Sequence, residues 1–108
     1  MTITESNDNH LRQLIFEKPR VIVKYTDEEC LICKELSPSF ASLSSDPTYG
    51  EIVFVRMNAK ENPVSSKEVK LTGTPFFATY KNGTLLECGV VSTEEGIKAM
   101  LAKLLEIK

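Results

Sequence analysis

The sequence lacks long apolar runs, a strong net charge and a large set of cysteines. No apolar run approaches the ~20 residues that a membrane-crossing helix needs. The net charge of −2 over 108 residues gives no reason to expect nucleic acid or an anionic membrane as a partner. The 3 cysteines are too few, and odd in number, for a scaffold of structural disulfides.

The N-terminal stretch from Met1 to His10 is polar and has no apolar segment of the kind that signal peptides carry. We therefore expect a cytoplasmic protein, in which a close cysteine pair is catalytic or metal-binding more often than structural. The length of 108 residues, 42% of them hydrophobic, fits one compact domain over residues 1–108 with a substantial core.

A C-x-x-C pair, Cys30 and Cys33, stands between a predicted strand and a predicted helix. The β-branched run Val21–Val23 predicts a strand covered on both faces, and apolar residues at helical spacing follow the cysteines. In a small chain, C-x-x-C at such a junction indicates redox chemistry. A structural zinc site needs four ligands, and only Cys88 and His10 remain as candidates, so we expect no metal.

The remaining segments alternate between helical and strand patterns. Helices are predicted from about Ser6 to Glu17, after the cysteines to about Ser45, from Pro63 to about Lys70, and after a capping box at Ser92–Glu95. Strands are predicted at Arg20–Thr26, Ile52–Met57, Phe76–Lys81 and Thr84–Cys88. Asn62 is the expected cap of the third helix, Pro38 should kink the second, and Asn82-Gly83 predicts a tight hairpin. The predicted order is α-β-α-β-α-β-β-α.

This order and the placement of several motifs resemble the thioredoxin family over nearly the whole chain. The matching positions are Cys30–Lys34, Pro38, Asn58, Asn62-Pro63, Thr74-Pro75 and Lys81–Gly83. The resemblance implies an α/β thioredoxin fold, with a central mixed sheet of about four strands flanked by about four helices. It also implies a thiol-disulfide oxidoreductase that acts on protein disulfides without a cofactor. Its electron donor would be a reductase or a small thiol, which the sequence does not identify.

Cys30 is the expected nucleophile. Thiol–disulfide exchange requires a thiolate, and the N–H groups and dipole at a helix start favour the anion. Cys33 lies one turn later on the same helical face, within disulfide reach, and would resolve the mixed disulfide that Cys30 forms. The acidic run Asp27–Glu29 opposes the thiolate unless solvent screens it, and it would favour basic substrate segments.

Thr74-Pro75 is the second expected element of the site. On general frequencies alone, a trans proline at the start of a strand is the more common arrangement. The resemblance implies instead a cis bond, beside which a substrate peptide pairs with the Thr74 backbone as an added strand.

Several positions depart from the family pattern. Glu29 stands where the family usually has Trp, and Leu31-Ile32 stands where it usually has Gly-Pro. We therefore expect an atypical redox potential and a restricted set of substrates. Lys24 replaces a buried acid that accepts the second cysteine's proton, and Arg56 stands opposite Lys24 where the family often has Lys. Lys24, Glu29 and Arg56 are thus candidate tuning residues.

Lys24 has two interpretations. Its ammonium could be desolvated, with a lowered pKa, and act on Cys33. Alternatively, its aliphatic stem could carry the charge to a surface acid, with no redox role. Because lysines in strands usually reach water, the second interpretation is favoured.

The third cysteine and the choice between enzyme and binding module stay open. Cys88 could be a further redox thiol, although a lone strand cysteine is more often a small buried residue. We expect an enzyme that works as a reductant. The alternative is a non-catalytic thioredoxin-fold module that binds peptides at Thr74-Pro75 or senses redox state through Cys30 and Cys33.

Overall fold

The computed structural model describes residues 3–27 and 30–106, with the side chain of Glu106 excepted. Within these residues the strands are β1 (Ile3–Glu5), β2 (Arg20–Thr26), β3 (Val53–Asn58), β4 (Phe76–Lys81) and β5 (Thr84–Val90). The helices are α1 (Asp8–Glu17), α2 (Leu31–Ser44), α3 (Pro63–Glu68) and α4 (Glu94–Glu106), with a 3-10 turn at Pro47–Tyr49. No helix of the described part is long and apolar enough to cross a membrane.

The strands form one mixed sheet in the order β1-β3-β2-β4-β5. β1, β3 and β2 are parallel, whereas β4 is antiparallel to β2 and β5 is antiparallel to β4. The predicted α/β fold is confirmed, with one strand more than expected. The sequence prediction missed β1 because three residues are too short to show an alternation, and Ile3–Glu5 is held by pairing with Phe54–Arg56.

Each face of the sheet packs against two helices. One core joins α1 and the end of α3 to the sheet through Leu11, Leu14, Val69, Val23, Tyr25 and Met57. The other joins α2 and α4 through Leu36, Phe40, Leu101, Leu104, Ile22 and Phe54. β2 lies at the centre of the sheet. Val21–Val23 are buried, as the β-branched run predicted, and Lys24 and Tyr25 are buried as well.

α2 begins directly after Cys30 and continues through Pro38 to Ser44. The continuation is as predicted, because the apolar face formed by Leu36, Phe40 and Leu43 extends on both sides of the proline. The helix therefore packs against the central strand through Leu36 and Phe40, and its start holds the cysteine pair.

Asn62 is the N-cap residue of α3 and Pro63 is the first residue of the helix, as predicted, but the Asn62 side chain makes no capping hydrogen bond. The Asp8 carboxylate accepts hydrogen bonds from the backbone N–H groups of Ser65 at 2.8 Å and Val64 at 3.2 Å, in the first turn of α3. The Asn62 side chain instead accepts from the Asp8 N–H at 2.9 Å. At α4, the Thr93 hydroxyl accepts from the Gly96 N–H at 3.1 Å, so the cap lies one residue later than expected.

The hairpin between β4 and β5 turns at Asn82-Gly83, as predicted. Both residues have positive φ, 51° and 84°, which is the requirement of the tight turn that this pair favours. A side chain at Gly83 would also collide with α1, because its Cβ would lie 2.7 Å from the Phe16 ring.

Candidate active site

The cysteine pair lies where β2 ends and α2 begins. Cys30 and Cys33 form a disulfide with a Cα–Cα distance of 5.2 Å. Cys30 is half-buried, whereas Cys33 is only 3% exposed. The Cys30 sulfur caps α2, since the backbone N–H of Cys33 points at it from 3.1 Å. The accessible sulfur is thus the one that faces the helix N-terminus, where an anion is favoured.

The two residues between the cysteines present apolar side chains to solvent. Leu31 is 72% exposed and Ile32 is 44% exposed, both in the first turn of α2. On the other side of the pair, Glu28 and Glu29 lie outside the described residues. An apolar pair therefore flanks the accessible sulfur of Cys30.

Thr74-Pro75 lies beside the end of β2 from which the cysteine loop leaves, because Tyr25 of β2 pairs with Phe76 of β4. The Thr74–Pro75 peptide bond is cis. The Pro75 carbonyl accepts from the Val91 N–H at 3.1 Å. Among the described residues, the Thr74 N–H and carbonyl have no backbone partner. The backbone of Thr74 is therefore free to pair with an extended peptide.

Lys24 is fully buried, so the favoured expectation that it reaches water is wrong. Its side chain is 0% exposed, and its Nζ donates to the Cys33 carbonyl oxygen at 2.9 Å and to the Ser37 hydroxyl at 3.1 Å. The Nζ also lies 5.6 Å from the centre of the Phe40 ring. Because α2 covers this face of β2, the stem has no route to solvent, and groups of α2 replace water as partners.

The cationic surroundings of Lys24 include Arg56, its register partner on β3. Burial, together with the nearby charge of Arg56, lowers the pKa of Lys24 from 10.5 to about 8. Arg56 pairs with Glu5 of β1, whose carboxylate accepts from Nε at 2.6 Å. The two candidate tuning residues Lys24 and Arg56 are thus brought together.

Ser37 is a member of this site that the sequence did not single out. Its hydroxyl accepts from Lys24 and also donates to the Cys33 carbonyl at 3.0 Å. The one available signal is its spacing: four residues after Cys33, it lies on the same face of α2.

The remaining candidates lie elsewhere. Cys88 is exposed on β5, with its sulfur 3.6 Å from the Val69 carbonyl, so the expectation of a buried residue is wrong. β5 is an edge strand of the sheet, and most of its side chains are exposed. His10 is exposed on α1 beside the Ser6 hydroxyl. No group of three or more potential metal ligands comes together among residues 3–27 and 30–106.

A central strand that leads into a helix-capping dithiol, with a cis proline beside it, defines a site for thiol–disulfide exchange. Comparison with known proteins agrees. The thioredoxin family model matches residues 1–105. Thioredoxin 1 of Plasmodium falciparum is 27% identical over 90 residues, which cover 83% of this chain and 85% of that protein. A thioredoxin H-type of Chlamydomonas reinhardtii is 28% identical over 87 residues, or 81% of this chain and 76% of the relative.

Solved structures show the same fold. Thioredoxin f from spinach chloroplast superposes with a TM-score of 0.89 at 17% identity, over 96% of this chain and 94% of that one. The chain belongs to the thioredoxin family, and its Cys30–Cys33 pair makes it a protein-disulfide oxidoreductase.

Proposed function

We propose that this protein reduces disulfides in a restricted set of protein substrates, and that a reductase or a small thiol returns it to the dithiol form. The observation that carries the proposal is the asymmetry of the pair, in which an accessible, helix-capping Cys30 is backed by a buried Cys33.

The difference in exposure between the two cysteines indicates which one attacks the substrate first and which one acts second. The Cys30 thiolate attacks one sulfur of a substrate disulfide, forms a mixed disulfide and releases the other substrate sulfur as a thiolate. The Cys33 thiolate then attacks the Cys30 sulfur and releases the second substrate thiolate. The substrate gains two electrons and, from solvent, two protons, while the protein dithiol becomes the disulfide.

The backbone beside the dithiol supports a protein substrate. Thr74 has no backbone partner among the described residues, and an extended segment next to the substrate cysteine could form an added strand there. Such pairing holds the substrate sulfur in line with Cys30 without depending on the substrate's sequence.

Two surfaces next to the site support a restricted choice of substrate. Leu31 and Ile32 offer an apolar contact beside the reactive sulfur. A groove of about 620 Å³ that Thr74 lines is also lined by three lysines, at positions 60, 67 and 70. Asp27, which also lines this groove, forms an ion pair with Lys60 at 3.6 Å, so its negative charge is neutralised. These features favour substrates with an apolar residue at the cysteine and an acidic segment near the lysines. This preference is opposite to the basic segments expected from the run Asp27–Glu29, of which the structure describes Asp27 alone.

The proposed location is the cytoplasm. The cysteines form one redox pair and one lone thiol rather than a structural scaffold, a usage that suits a reducing compartment.

The catalytic proposal is tested by dithiothreitol-driven reduction of insulin. Wild type should exceed the background rate, Cys30→Ser should fall to background, and Cys88→Ser should keep the wild-type rate as the matched control. Cys33→Ser should accumulate a mixed disulfide with substrate. A wild type at background would contradict catalysis and favour the peptide-binding or redox-sensing alternative.

The substrate preference is tested with two disulfide-linked peptides that differ only in acidic or basic flanking residues. We expect faster reduction of the acidic peptide at low salt, and Lys67→Glu should weaken that preference. Lys18→Glu is the control, since it makes the same charge change at the opposite end of β2. Equal rates for the two peptides would remove charge as a basis of selection.

A further inference from the structure

The buried ammonium of Lys24 is fixed to the residue that resolves the mixed disulfide. Its Nζ donates to the backbone carbonyl of Cys33 itself, at 2.9 Å, so the charge is held at the same residue that carries the resolving sulfur. Cys33 is 3% exposed and Lys24 is 0% exposed, so little water separates or screens the two groups.

The other groups that face Lys24 do not neutralise it. α2 presents the neutral Ser37 and the Phe40 ring, and β4 presents Phe77 as the register partner. β3 presents the cation Arg56, whose own partner is Glu5 of β1. In the oxidised protein, the ammonium therefore has dipolar partners and no carboxylate in contact among the described residues.

We propose that Lys24 is a positioning residue whose charge stabilises the Cys33 thiolate, and that it thereby shifts the redox equilibrium of this protein toward the dithiol form. This inference rests on the proposed dithiol chemistry and concerns the reduction potential of the Cys30–Cys33 pair. Because of its charge, Lys24 makes the protein a weaker reductant than the same chain would be without it.

The reason is a difference in how well the charge is compensated in the two redox states. The disulfide carries no charge, so the desolvated ammonium is paired only with a carbonyl and a hydroxyl. After reduction, the Cys33 sulfur can ionise and becomes the missing counter-ion, an attraction that is strong where water is excluded. The reduced form therefore gains stabilisation that the oxidised form cannot have, which raises the reduction potential.

Lys24 also changes the number of protons that the cysteine pair takes up on reduction. Reduction adds two electrons to the Cys30–Cys33 bond. Without the cation, the Cys33 sulfur takes up a proton, whereas with Lys24 it stays ionised, so reduction takes up one proton fewer than it would in the same chain without the charge. In the resolving step, the Cys33 thiolate attacks Cys30 directly and needs no base, and the departing substrate thiolate takes its proton from solvent.

The test is the equilibrium between reduced and oxidised protein in dithiothreitol buffers of known ratio at pH 7. Lys24→Met keeps an unbranched apolar side chain of similar length and removes the charge. It should shift the equilibrium constant at least tenfold toward the disulfide, which corresponds to about 30 mV for a two-electron couple. Lys24→Arg should keep most of the wild-type value. Lys98→Met, an exposed lysine on α4, makes the same change in net charge and should have no effect.

A second readout is the pH dependence of the potential. The wild-type potential should fall less steeply with rising pH near neutrality than that of Lys24→Met, because the ionisation of Cys30 is common to both proteins. If Lys24→Met and wild type share one potential, or if their two potentials depend equally on pH, the proposal is wrong. Both measurements use a small thiol alone, so a wild type that fails to reduce insulin does not change their meaning.

Discussion

Lys24 and Tyr25 are neighbours in the central strand, face opposite sides of the sheet, and are both 0% exposed. The Lys24 ammonium has two hydrogen-bond acceptors and an aromatic ring around it. The Tyr25 hydroxyl has no hydrogen-bond partner within the described residues. One strand therefore buries a satisfied charge on its α2 side and an unsatisfied neutral group on its α1 side.

The Lys24 ammonium has partners and the Tyr25 hydroxyl has none because burial without partners costs much more free energy for a charged group than for a neutral one. Burial raises the pKa of Tyr25, with the nearby Tyr80 acting in the same direction, so the phenol stays neutral and its burial costs far less than burial of an unpaired charge would. Tyr25 packs as an aromatic ring, edge-on to Phe76 with ring centres 6.1 Å apart. An ammonium cannot be buried in that way, so its partners on α2 mark the face where the chemistry lies.

The largest expected effect is on the pH dependence of stability on the Lys24 face. The folded pKa of about 8 lies below the ordinary value of 10.5, so the unfolded chain binds more protons between these pH values. Stability of the oxidised wild type should therefore rise with pH through this window, relative to Lys24→Met, by up to about 3 kcal/mol. Urea unfolding of both proteins from pH 7 to 10.5 measures the difference, and parallel curves would mean that Lys24 is not desolvated.

On the side of the sheet that Tyr25 faces, the titrating group that affects stability is the carboxyl group of Asp8. Burial alone would raise the pKa of Asp8, but hydrogen bonds from Ser65 and Val64 outweigh it and lower the pKa below 3.8. Its stabilisation is thus present above the ordinary pKa and is lost as pH falls through the lower, folded value. Asp8→Ala should cost about 1 kcal/mol at pH 7, as loss of a helix cap does. The same unfolding experiment should show no such loss for Glu17→Ala, an exposed acid at the other end of α1.

These two faces also show what the sequence could predict. Strand positions, the Asn82-Gly83 hairpin and the Cys30–Cys33 site follow from local alternation, turn chemistry and one motif. The hydrogen-bond partners of Lys24 and Asp8 do not follow from any local pattern. The cap that Asp8 provides joins residues 57 positions apart, and Lys24 is buried only because α2 folds over β2.

The sequence also does not predict which side chains at the edge of the sheet are exposed. Cys88 is apolar in character and sits in a strand, so burial was a reasonable expectation. β5 is an edge strand whose side chains are mostly exposed, and its place at the edge is a property of the sheet order rather than of the local sequence. The short β1 was missed for the same reason, since its pairing with β3 decides it.

A smaller effect should follow from removing the Tyr25 hydroxyl. Tyr25→Phe deletes a buried group that has no partner, so it should leave stability unchanged or raise it by about 1 kcal/mol. Chemical unfolding at pH 7 measures this. A clear loss of stability would show that the hydroxyl is paired and would weaken the contrast with Lys24.

The smallest effect is expected at Ser37, on the Lys24 face. Ser37→Ala removes one of the two acceptors of Nζ, but the Cys33 carbonyl remains, so the cost should be about 0.5–1 kcal/mol. Ser42→Ala, an exposed position on the same helix, is the matched control. Equal stabilities of these two variants would show that Ser37 does not support the buried ammonium.

The most direct test of the account is the ionisation of Cys33 in the reduced protein. The pH profile of its alkylation can be followed by mass spectrometry in a Cys30→Ser, Cys88→Ser background, with and without Lys24→Met. If Lys24 stabilises the Cys33 thiolate, alkylation should begin at a lower pH when Lys24 is present. Superimposable profiles, or one shifted to higher pH by Lys24, would contradict the central claim.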